Sequence, residues 1–227
     1  MEINADFTQR AVVHGAQTDW IPSPMPGVDR RMLDRIGDEV ARATSIVRYA
    51  PGSAFSQHTH TGGEEFLVLE GVFQDDYGDF PAGSYVRNPP TTKHVPSSEN
   101  GCTIFVKLWQ FDPEDRNQFS LNTETSTYTE DPVRRGVQVL DLHEDNFESV
   151  RMERWAPGAE VMLQDPGGLE ALVVKGSFTE AGEAFVSQSW LRLPSGFRSK
   201  AVAGPDGAQV WLKRGHLAGE IRAPEVS

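Results

Sequence analysis

Arg48-Tyr49-Ala50-Pro51-Gly52 returns 106 residues later as Arg154-Trp155-Ala156-Pro157-Gly158, and Phe105-Val106-Lys107 returns at the same offset as Trp211-Leu212-Lys213. Between those anchors the match slips by one residue: Gly71-Val72-Phe73 stands opposite Gly176-Ser177-Phe178, and Pro89 opposite Pro194, both at 105. Two copies of one structural unit are the simplest account, so a fold proposed for either half must serve both. A chain of 227 residues then divides into two domains of roughly 100 residues each.

The unit is built of strands. Ser45–Tyr49, Glu65–Leu69, Ser84–Arg87, Thr103–Trp109, Ala171–Val174 and Gln209–Leu212 are short apolar or alternating runs. Turn signals separate them, among them Ala50-Pro51-Gly52, Pro81-Ala82-Gly83, Asn88-Pro89-Pro90 and Pro205-Asp206-Gly207. No long amphipathic helix competes, although Arg31 to Ala43 would suit one short helix. The expectation is an all-β protein of two tandem barrels. Residues 1–44 are expected to form a strand-forming extension, 45–112 the first barrel, 113–131 a polar linker and 132–227 the second barrel.

Thirty-three acidic residues against 21 basic ones give a net charge of −12, which repels phosphate backbones and anionic lipid. Neither nucleic acid nor membrane is therefore an expected partner. The single cysteine, Cys102, reads as a small core residue, and a reducing compartment fits it. With no basic, apolar leader at the N-terminus and no run approaching the ~20 apolar residues of a membrane span, the expected location is the cytoplasm.

Chemistry concentrates in the first unit. Gly52 is followed by His58-Thr59-His60, Glu64 and Gly71, giving G-x5-H-x-H-x3-E-x6-G. Histidines at i and i+2 of a strand share a face, and Glu64 opens the next strand after the Thr61-Gly62-Gly63 turn. His94 follows the rigid turn Pro89-Pro90-Thr91-Thr92-Lys93 and supplies a fourth donor. Three imidazoles and a carboxylate suit one divalent transition metal, Zn²⁺ or Fe²⁺ first and Mn²⁺ or Ni²⁺ next, and suit Ca²⁺ or Mg²⁺ poorly. A lone H-x-H is weak evidence, but here three of the six histidines fall on the pattern. His14, His143 and His216 match nothing and read as structural or exposed.

The H-x-H-x3-E run resembles the first cupin motif, and Pro89 to His94 resembles the second, P-x-G-x-x-H, with Thr91 in place of its glycine. More narrowly, Ala43 to Gly52, Gly62 to Gly71, Tyr85 to Pro90 and Gly101 to Lys107 resemble the ChrR-like cupins. That resemblance implies a bicupin of RmlC-like jelly rolls, with a metal held by His58, His60, Glu64 and His94, zinc in the anti-sigma members. Those members also carry an N-terminal helical zinc domain that grips a sigma factor. The 44 residues before the first repeat contain one histidine and no cysteine, so sigma-factor binding is not expected.

The second unit departs from the pattern. Gln164 and Pro166 stand where the histidines would be and Ser199 at the place of His94. Glu170 or Leu169 takes the place of Glu64, depending on where the one-residue slip falls. It is expected to be a degenerate cupin domain without metal ligands.

Two functions stay open. Four protein ligands leave one or two positions free on a five- or six-coordinate ion, enough for an oxygen-dependent, dioxygenase-type oxidoreductase acting on a small organic substrate. The alternative is a non-catalytic zinc sensor or regulatory protein. A metal-free isomerase or sugar-binding module ranks last. Alternation from Glu64 turns Phe66 and Val68 inward, and Tyr85, Arg87, Phe105 and Lys107 lie on strands that could line the same cavity; core packing for the aromatics and surface charge for Arg87 and Lys107 are the equal alternatives. Exposed jelly-roll edges favour a homodimer.

Overall fold

The computed structural model describes residues 1–38, 40–219 and 221–224. It is an all-β structure of two jelly-roll units, one made chiefly of Asp19–Thr125 with Met1–Ala5, the other of Asp6–Thr18 with Ser126–Ile221. In the first unit the large antiparallel sheet runs Glu2–Ile3, Val28–Gly37, Ala41–Tyr49, Cys102–Leu108, Glu64–Asp75, Ser84–Asn88 and Phe119–Asn122. In the second the equivalent order is Thr129–Glu130, Val137–Glu144, Ser149–Trp155, Arg198–Arg214, Leu169–Glu180, Ser189–Leu193 and Ala11–His14. Each sheet thus ends on a strand from an irregular stretch: the 113–131 segment edges the first unit, and Ala11–His14 edges the second.

The repeat is visible in the ladders. Tyr49 pairs with Val28 and Cys102, while Trp155 pairs with Val137 and Ala208. At Gly71 the long Glu64–Asp75 strand turns the corner from the large sheet to its hairpin with Gly78–Pro81. Its φ is 73° and a Cβ there would lie 2.2 Å from the Gly101 carbonyl oxygen, so only glycine fits. Gly176 repeats this, with φ 71° and 2.2 Å to the Gly207 oxygen.

The short helix expected over Arg31 to Ala43 is not formed. Val28–Gly37 and Ala41–Tyr49 are antiparallel strands, with Leu33 fully buried. Pairing with a neighbouring strand outweighs the weak local helix propensity of Arg-Met-Leu-Asp-Arg.

Alternation from Glu64 turns Phe66 and Val68 into the barrel, as expected, where they join Val86, Ile104 and Val106. The ladder sets Phe66 beside Val86 and Val106. Tyr85, Arg87, Phe105 and Lys107 therefore face the opposite side of the sheet: they do not line the cavity, the aromatics pack in a core as the alternative reading had it, and Arg87 and Lys107 are buried, not surface charges. They are buried there with Glu65: Tyr85 Oη donates to Glu65 Oε2 at 2.7 Å, and Lys107 Nζ donates to Thr44 Oγ1 at 2.8 Å. The second unit repeats this buried set as Glu170, Arg192 and Lys213, with Trp190 donating to Glu170 at 3.1 Å.

No described helix is long and apolar enough to cross a membrane.

Candidate metal centre

His58 and Thr59 form a short ladder with Lys93 and His94, in which His94 lies opposite His58. His60 is fixed to the turn that leads into His94: its carbonyl accepts from Thr91 N at 3.0 Å and its own N donates to the Thr92 carbonyl at 2.9 Å. Thr91, which replaces the motif glycine, takes a left-handed φ of 78°, the conformation that glycine would adopt freely. Glu64 enters from the Thr61-Gly62-Gly63 turn, on which the Trp109 ring lies so closely that a Cβ at Gly62 would sit 2.2 Å from it.

These elements bring His58, His60, Glu64 and His94 together, with one donor atom from each lying within 4.8 Å of the others. His60 Nε2 lies 3.2 Å from His94 Nε2 and 3.3 Å from Glu64 Oε2, and His94 Nε2 lies 3.7 Å from that same oxygen. Donors about 2.1 Å from a shared first-row ion stand roughly 3.0–3.4 Å apart, so the spacing fits one ion. The His58 ring is exposed, 4.9 Å from that of His94 between centroids.

Outer partners fix which nitrogen points inward. His94 Nδ1 meets the buried Asp75 carboxylate at 2.9 Å, so it carries the proton. Thr92 Oγ1 donates its only proton to the Pro89 carbonyl at 2.7 Å, and therefore accepts from His60 Nδ1 at 3.0 Å. Both Nε2 atoms then present lone pairs to each other and to a carboxylate oxygen. Such an arrangement calls for a proton or a metal cation at its centre, and this is the physical fit between residues and ion. Burial lowers the His60 pKa and outweighs the pull of Glu64. At His94 burial acts the same way, but the Asp75 hydrogen bond and the Glu64 charge outweigh it and raise the value. Glu64 is steadied by Asn88 Nδ2 at 3.3 Å, and Asn88 by Gln118 at 3.1 Å.

Sequence reading missed Asp75, Thr92 and Asn88. Nothing in the spacing of Asp75 announced a histidine 19 residues away.

His58, His60 and Glu64 open on a cavity of about 640 Å³. Its wall adds an apolar part, with Val28, Val47, Tyr49, Phe55, Ile104, Val106, Leu108 and Trp109, and a polar part, with Ser23, Ser56, Gln57, Thr59 and Thr61; among the described residues it includes neither lysine nor arginine.

In the second unit the ladder settles the one-residue slip. Glu170 pairs with Arg192 and Lys213 as Glu65 pairs with Arg87 and Lys107, so Leu169 occupies the place of Glu64. Ser199 stands opposite Leu163 where His94 stands opposite His58, so Leu163, one residue before Gln164, takes the His58 position. Ser199 donates to Glu180 as His94 donates to Asp75. Val161, Leu163, Leu169, Phe178, Phe185 and Leu193 fill this barrel. The remaining histidines pair with acids: His14 with Glu183, His143 with Asp145 and His216 with Glu170.

Fold and site together define a metal-binding cupin with two jelly-roll domains. Residues 8–112 match the family model of the ChrR Cupin-like domain. Among solved structures, a candidate dioxygenase of Nostoc punctiforme superposes with a TM-score of 0.78 at 14% identity, over 97% of this chain and 87% of that one. Ylba of Escherichia coli gives 0.69 at 14% identity over 95% of each chain. Oxalate decarboxylase OxdC of Bacillus subtilis, a protein with Mn(II) centres, gives 0.60 at 12% identity over 89% of this chain and 76% of that one. At these identities the likeness speaks for the fold. No curated protein matches the chain.

Proposed function

We propose that this protein is a metal-dependent, dioxygenase-type oxidoreductase acting on a small organic molecule. The observation that carries this reading is the cavity of about 640 Å³ beside the four donors, with His58, His60 and Glu64 on its wall. Four protein donors leave coordination positions free, and the free side has room for a substrate. A metal bound there would polarise an oxygen donor of the substrate and, as Fe²⁺, activate dioxygen. The protein's own part is to hold. Asp75 and Thr92 keep two imidazoles turned inward, Asn88 holds Glu64, and the aliphatic part of the wall offers a substrate apolar contact.

The zinc sensor reading draws support from the match to the ChrR Cupin-like domain. Purely structural zinc sites are closed, however, and a substrate-sized space beside the ligands is unexplained on that view. Reconstitution with Fe²⁺ and oxygen-uptake assays on a panel of diketones and hydroxylated aryl ketones decide the matter. Uptake that needs both iron and one of these substrates supports the oxidoreductase; metal-loaded but inert protein supports the sensor.

A further inference from the structure

Tyr49 ends the Ala41–Tyr49 strand and lines the cavity with His58, His60 and Glu64. Its ring packs edge-on against Phe55 at 5.3 Å and Phe73 at 5.7 Å between centroids. Its hydroxyl has no hydrogen-bond partner among the described residues and is not sealed from solvent, so it is open to a molecule entering the cavity. The repeat supplies an internal comparison. Trp155 occupies the same ladder position in the second unit, where the ligands are gone, and its ring N–H is satisfied by Glu153 Oε2 at 2.8 Å. The polar tip is thus left free in the unit that keeps its donors and tied off in the unit that has lost them.

The charge of the wall narrows what Tyr49 could meet. Among the described lining residues Glu64 is the one carboxylate, and no lysine or arginine is present to receive an anion. Burial and the charge of Glu64 raise the phenol well above the ordinary tyrosine value, so it remains a donor.

We propose that Tyr49 is a ligand-binding residue, donating its hydroxyl to an oxygen of an uncharged, largely apolar organic molecule that also reaches the metal. This rests on the metal-dependent reading above. It assigns both a specificity residue and a substrate class, and it disfavours small dianions.

Cobalt-substituted protein, followed through its visible absorption, tests this with benzohydroxamic acid, acetohydroxamic acid and oxalate as probes. The aryl probe should bind at least about tenfold more tightly than the methyl probe, because the wall buries its ring. Tyr49→Phe should weaken benzohydroxamic acid about fivefold while leaving cobalt affinity and the unfolding midpoint unchanged. Wild-type protein that takes up no cobalt overturns the metal reading and this inference with it. Protein that loads cobalt but binds the aryl probe equally well with Phe at position 49 overturns the role of Tyr49 alone. Oxalate binding more tightly than benzohydroxamic acid overturns the substrate class. A second measurement needs no variant: the tyrosine ultraviolet difference spectrum should shift when the aryl probe binds the wild type, and a flat spectrum contradicts the assignment.

Discussion

His94 presents its Nδ1 to a carboxylate oxygen of Asp75 at 2.9 Å, with the acid almost wholly buried. In the second unit the acid persists as Glu180 while the imidazole has become Ser199. An outer carboxylate fixes the tautomer of a ligating histidine and raises its basicity. Asp75→Asn should therefore weaken metal binding by about 10- to 100-fold with the fold retained. Competition against a chromophoric chelator measures this; unchanged affinity would show that Asp75 only packs.

Thr91 holds a left-handed backbone at φ 78° and its side chain is exposed. Thr91→Gly relieves that conformation but frees the unfolded chain, and the net expectation is a gain of about 0.5–1 kcal/mol. Urea unfolding checks it. A loss of stability would mean that the threonine side chain makes a contact worth more than the backbone strain.

How much of this was open to inspection of residues alone depended on sequence distance. His58, His60 and Glu64 lie within one short motif and His94 behind a rigid proline turn, so strand alternation and spacing sufficed to propose the set. Asp75 and Thr92 act through hydrogen bonds that exist only once two hairpins meet. Arg31 to Ala43 misled because a run with helix-forming residues is decided by the strand beside it. Tyr85, Arg87, Phe105 and Lys107 could not be assigned to a face because apolar and polar residues are buried on both faces of this sheet, and alternation marks a face without saying which is the interior.

In the second unit, burial raises the pKa of Asp131, but the Arg134 guanidinium and the amides of Arg134 and Val133 outweigh it and hold the carboxyl at about 2. A depressed carboxyl stabilises the folded state above its unfolded value near 3.9, and that contribution is lost as pH falls through the folded value. Asp131→Asn should cost about 2 kcal/mol at pH 7 and about 1 kcal/mol at pH 3. Urea unfolding at the two pH values measures the difference; a penalty independent of pH would assign the effect to packing.

The central claim is that four side chains from one barrel hold a single divalent ion. Elemental analysis of protein purified without an affinity tag, side by side with His60→Ala, tests it most directly. The wild type should carry about one first-row ion per chain and the variant should lose most of it after dialysis. Equal metal content in the two proteins would contradict the account.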